Sequence, residues 1–166
     1  VATSWWNRLL DAGHASGLVP AGLGARDTLR LEGGLPLYGH ELTDSLTPVE
    51  AGLHRFIKLE KGDFLGREAL ARQMENGVSH IRVGLEMLER GIPREGCPVH
   101  ATAETTAEPI GWISSGGVGI WVEKNIAMAY VPPACASLET PLWLDIRGRR
   151  LAAKVVALPF YKKPRT

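Results

Sequence analysis

Hydrophobic and polar positions follow two different periods along this chain, and the change falls near Gly77. Before it, apolar residues recur at helical spacing. In WWNRLLDAG, Trp5, Trp6, Leu9 and Leu10 predict a short amphipathic helix that Gly13 stops, with its tryptophans in the core. GLVPAGLG breaks the chain, and ARDTLRLEGG then predicts a second helix with Leu29 buried, ended by Gly33 and Gly34. Thr47 and Glu50 have the spacing of a capping box, with Pro48 at the first helical position. Phe56, Ile57 and Leu59 suggest a short strand, and GREALARQMEN predicts a helix closed by Gly77.

Beyond Gly77 the period becomes two. HIRVGLEM alternates Ile81, Val83, Leu85 and Met87 with Arg82, Gly84 and Glu86, the pattern of a half-buried strand. CPVHA, IGWISS, NIAMAYV, PLWLDIRG and RLAAKVVAL follow as strand candidates, the last two joined by a tight hairpin at RGRR. About six antiparallel strands suffice to close a small barrel. The pattern therefore predicts an α+β chain: an irregular helical first part, a boundary around residues 76 to 80, and an antiparallel β-barrel.

Composition narrows the function classes. The chain has 166 residues, 45% hydrophobic and 22% charged, which is globular and large enough to bury a core. A formal net charge of +1 gives no global field toward nucleic acid or a membrane surface. No apolar run approaches the roughly 20 residues that span a bilayer. Cys97 and Cys135 form no CxxC, and the five histidines make no HExxH pair, so reduced thiols in a cytoplasmic protein and no metal site are expected. Val1 opens the chain without a signal-peptide pattern, and the whole reads as a piece of a longer protein.

Few motifs carry chemistry. Gly22-Leu-Gly24-Ala-Arg-Asp27 has aspartate where a dinucleotide fingerprint needs its third glycine, and no parallel βαβ unit surrounds it. SSGGVG, Ser114 to Gly119, lacks the Walker pattern and reads as a glycine-rich turn between barrel strands, or as a place where another segment packs closely. No nucleophile and base arrangement is visible, and acids such as Glu41 and Asp44 are expected to be solvated. Arg26 is the strongest candidate. Its guanidinium can hold a carboxylate through two parallel bonds, and glycines on its N-terminal side give access. An ion pair with Asp27 or Glu32 is the competing role, and composition leaves both open. Phe160 and Tyr161, before the basic end KKPRT, imply that the chain is still packed just before its end.

GLGARDTLRLEGGLPLYGHEL, followed in order by TPVEAGL, KGDFLGREAL, RGIPREGCPV, EKNIAMAYV, IRGRR and PFYKK, resembles the glycine cleavage system T-protein family, the aminomethyltransferases. The resemblance runs from near Val1 to Lys163. It implies a three-domain cloverleaf with folate at its centre, of which residues 1–77 would be the C-terminal part of the folate-binding α+β domain and 78–166 the C-terminal β-barrel domain. It also implies transfer of a one-carbon unit from the aminomethyl-lipoyl arm of the H-protein to tetrahydrofolate, with release of ammonia. The family's catalytic aspartate belongs to the part that precedes this segment, so no catalytic residue is assigned here and the segment alone is expected to be inactive. Two family positions carry over toward folate: the arginine of the GARD motif is Arg26, and the family's PFYR ending corresponds to Tyr161 and Lys162 here. SSGGVGIWVEK stands where the family usually has SGTFSPTLGK. That departure resembles the folate domains of sarcosine and dimethylglycine dehydrogenases, which supply the alternative function, beside a non-catalytic folate-binding relative. Without its partner strands, the first segment is expected to self-associate through residues 1 to 70.

Overall fold

The structure, a computed structural model, describes residues 1–163. Three helices occupy the first part: α1 (Ala2–Gly13), α2 (Leu23–Glu32) and α3 (Arg67–Asn76). Six strands make up the second: β1 (Ile81–Met87), β2 (Pro98–His100), β3 (Gly111–Gly119), β4 (Lys124–Val131), β5 (Pro141–Ile146) and β6 (Arg149–Val156). All pairings are antiparallel, and the strands close in the order β1-β4-β3-β2-β5-β6. This is the α+β fold with a closed antiparallel barrel that the change of period predicts. No helix in the described residues is long and apolar enough to cross a membrane.

The barrel is held from within. Val83, Leu85 and Met87 of β1 point inward with Val99, Ile113, Ala127, Ala129, Leu142, Leu144, Leu151 and Val155, one residue in two from each strand. Each of the six strands has a strand partner on both sides, so no strand lies at the edge of the sheet, which reduces the hazard of edge-to-edge association. Gly111 is required where β3 meets β4, because a methyl group there would run into the Tyr130 carbonyl.

Several local expectations are corrected. Trp5 and Trp6 are 56% and 50% exposed, and no residue of α1 is buried. Leu29 is 60% exposed while Leu31 is 3% exposed, because α2 packs through its last turn against Ile126 and Met128 rather than through its middle. Phe56, Ile57 and Leu59 form no strand; two three-residue 3-10 turns, His54–Phe56 and Leu59–Lys61, run there instead. The capping box does form, with Glu50 Oε2 accepting from Thr47 N at 2.9 Å. It closes a turn and starts no helix. SSGGVG is not a turn but the second half of β3, and its glycines admit what packs on it. A Cβ on Gly116 would press on the Pro93 carbonyl at 2.8 Å, and one on Gly119 would come within 3.2 Å of Glu32 Oε1. The expected basic end continues through Pro164, Arg165 and Thr166, outside the described residues.

Candidate functional site

A buried polar layer joins the first part of the chain to the barrel wall. Glu41, expected in solvent, is fully buried. Its Oε2 accepts from Arg30 Nη1 at 2.9 Å and from the Leu37 amide at 3.0 Å, and its Oε1 lies 2.7 Å from the Ser114 hydroxyl. The β-bulge between Ile113 and Ser115 makes this last contact available: Ile113 stays in the core while Ser114 turns toward Glu41. Tyr130 donates its hydroxyl to the Glu41 carbonyl. Burial pushes its pKa well above the ordinary tyrosine value.

Arg82, which the strand pattern assigned to the polar face, ties the two parts together. Its Nε donates to the Ala51 carbonyl and its Nη1 to the Gly34 carbonyl, each at 2.9 Å. Burial lowers its pKa. Neither Arg82 nor Glu41 carries a signal in the sequence beyond its charge: Arg82 is paired with backbone carbonyls 31 and 48 residues away, and Glu41 with the side chains of Arg30 and Ser114 and the Leu37 amide.

Helix α2 carries Arg26, the first candidate residue. Asp27 pairs with Arg30, whose Nη2 lies 2.6 Å from Asp27 Oδ1, so Arg26 is not held by its neighbour. Among the described residues no carboxylate lies within 4.0 Å of the Arg26 guanidinium. Arg26 is exposed, and Leu23 and Leu29, three residues to either side on the same face, are 81% and 60% exposed.

At the other end of α2, Glu32 is 2% exposed. A carboxylate at a helix C-terminus opposes the helix dipole. Glu32 answers this by accepting from the Trp121 and Val122 amides at 2.7 and 3.1 Å, which fixes the β3–β4 turn to the helix. Its Oε2 is buried without a hydrogen-bond partner. Its carbonyl accepts from the Tyr161 amide at 3.0 Å, and the Tyr161 ring lies 5.6 Å from that of Trp121. Tyr161 is half-buried and Lys162 is exposed beside it. Tyr161 and Lys162 are therefore gathered at the C-terminal end of α2. Arg26 sits six residues back, about 9 Å along the axis at 1.5 Å per residue. Trp121 joins this group from within SSGGVGIWVEK, where the sequence departs from the family's usual segment. Among the described residues, no three His, Cys, Asp or Glu side chains are gathered to hold a metal ion.

The chain matches known proteins along both of its parts. The model of the GCVT N-terminal domain matches residues 1–61, and that of the glycine cleavage T-protein C-terminal barrel domain matches residues 81–162. An aminomethyltransferase of Moorella thermoacetica is 52% identical over 164 residues, covering 99% of this chain and 44% of that protein. Another, of Symbiobacterium thermophilum, is 51% identical over 160 residues, covering 96% and 42%. The crystal structure of glycine cleavage system aminomethyltransferase T from Bartonella henselae superposes with a TM-score of 0.85 at 34% identity, covering 96% of this chain and 44% of that one. The chain belongs to the glycine cleavage system T-protein family, and it spans less than half the length of these relatives.

Proposed function

We propose that this chain is the C-terminal part of an aminomethyltransferase of the glycine cleavage system. The whole protein would pass the one-carbon unit of the aminomethyl-lipoyl H-protein to tetrahydrofolate and release ammonia. The observation that carries this reading is the identity of 52% across 99% of the chain with an aminomethyltransferase. The relatives named above all bear that activity in their names, and none supports the amine-dehydrogenase alternative.

The residues present suit a folate. Tetrahydrofolate supplies the nitrogen nucleophiles that receive the one-carbon unit, and its glutamyl end carries carboxylates. The unpaired Arg26 guanidinium would hold one of those carboxylates, with Leu23 and Leu29 lining the approach. The Trp121–Tyr161 pair would give an aromatic wall at the far end of α2, and Lys162 a second cation. None of these residues moves a proton in the reaction; their part is to bind and orient. The domain boundary falls after Gly77 in this reading, with residues 1–77 completing the folate-binding domain and 78–166 the barrel domain. The protein works in the cytoplasm.

The test is ammonia release by the intact protein. It should require both aminomethyl-loaded H-protein and tetrahydrofolate, and residues 1–166 alone should release none. Activity with sarcosine or dimethylglycine, and none with the H-protein, would overturn the reading.

A further inference from the structure

A second site lies at one mouth of the barrel. The strands β1, β3 and β5 run in the same direction, so the β1–β2 loop and the β5–β6 turn emerge at the same end. Between them is a cavity of about 440 Å³, lined by Arg90, Arg94, Arg147 and Arg149 over a floor that includes Ile146 and Leu151. That volume is within the range of small-ligand sites, roughly 300–1,000 Å³. Among the described residues none of the four guanidinium groups has a carboxylate within 4.0 Å. The acids nearby in sequence are engaged elsewhere. Asp145 accepts from the Gly148 amide at 2.9 Å and faces Arg150, and Glu89 accepts from the Ala152 amide at 2.6 Å.

Arg147 has φ of 55° and Gly148 φ of 74°, the two left-handed positions of a tight hairpin turn, where asparagine or aspartate is commoner at the first. The turn carries Arg147 and Arg149 at its two ends on the rim of the cavity. All four arginines are exposed, so their guanidinium groups are solvated and free to turn toward an anion.

We propose that this cavity binds a small organic anion bearing at least two carboxylate or phosphate groups, its charges held by the arginines and its body on the apolar floor. Arginine forks match both oxyanions in bidentate geometry. The site is separate from the Arg26 face of α2 and does not depend on the activity proposed above.

Cys97 lines the same cavity and is half-buried, which makes it a reporter. In the intact protein with Cys135→Ser, the rate of Cys97 alkylation by iodoacetamide is followed against citrate, as a carboxylate probe, and against fructose 1,6-bisphosphate, as a phosphate probe. Sodium sulfate at equal ionic strength is the control. Saturating citrate or bisphosphate should slow alkylation about tenfold, and which of the two does so identifies the oxyanion. Arg147→Asn with Arg149→Gln should require about 100-fold more ligand, at about tenfold for each lost charge-assisted contact. Its melting temperature should be unchanged or higher, because asparagine suits the turn. Protection by neither probe, equal protection by sulfate, or protection that survives in the double variant would overturn the proposal.

Discussion

Arg30 Nη1 lies 2.9 Å from Glu41 Oε2, and this pair, with Glu41 wholly out of solvent, is where α2 is fixed to the segment that covers the barrel wall. A buried ion pair is a poor source of net stability, yet breaking one is costly, because the remaining charge is stranded. Arg30→Met should therefore destabilise the protein by about 3–5 kcal/mol in urea unfolding. Arg30→Met with Glu41→Leu should recover only part of this, since the Leu37 amide and the Ser114 hydroxyl would lose their acceptor. Full recovery would show that those two contacts are idle.

Glu32→Ala removes the acceptor of the Trp121 and Val122 amides. A charge-assisted bond of about 1.5–3 kcal/mol should raise their hydrogen-exchange rates roughly tenfold or more, while amides inside the barrel ladders keep their protection. Unchanged exchange at both positions would mean that the turn holds itself.

Tyr130 gives the pH dependence. Its pKa is raised above 10.0, chiefly by burial, with Glu41 and Glu50 adding and Arg82 opposing. The folded chain keeps a proton that the unfolded chain releases above about pH 10, so this contribution is complete below that pH and is lost as pH rises beyond it. Stability measured from about pH 9 to about pH 11 should fall more steeply in the native protein than in Tyr130→Phe. Equal slopes would place the tyrosine in a more open setting than the structure shows.

The first part exposes Trp5, Trp6, Leu9, Leu18, Val19, Leu23 and Leu29, large apolar side chains that favour association when uncovered together. Residues 1–166 produced alone should self-associate through residues 1 to 70 in sedimentation velocity. Trp5→Gln with Leu9→Gln should shift the population toward monomer. A strict monomer at high concentration would contradict this.

The barrel was readable because period-two alternation reports burial on one side of each strand, as Val83, Leu85 and Met87 do. The helices were readable for a related reason, as the spacing of WWNRLL shows. What the periodicity could not report was which face is covered. Leu29 and the two tryptophans have core composition but lie uncovered in residues 1–163. Glu41 and Arg82 have surface composition and lie in the joint between the parts, Glu41 satisfied by Arg30, Ser114 and the Leu37 amide and Arg82 by carbonyls distant in sequence. SSGGVG reads as a turn because glycine is commonest in turns; it is strand, and the alternative of close packing holds, since its glycines leave β3 bare enough for Pro93 and Glu32 to approach. Arg26 stands out by its motif, while Trp121, held at the other end of α2 by Glu32, lies in a segment read only for its glycines.

The central claim is that α2 holds one unpaired arginine outward for folate while its other end is bolted to the barrel by Glu32. Calorimetric titration of the intact protein with tetrahydrofolate tests it most directly, with Arg26→Ala and Arg26→Lys measured beside the native protein. One charge-assisted contact is worth about 1.5–3 kcal/mol, so Arg26→Ala should weaken binding by roughly 10- to 150-fold. Arg26→Lys should recover part of the loss, because lysine keeps the charge without the fork. Melting temperatures of all three should agree closely, as the exposed Arg26 side chain holds no other part of the fold. Native affinity in Arg26→Ala, with a large fall in its melting temperature, would make Arg26 a structural residue and contradict the account.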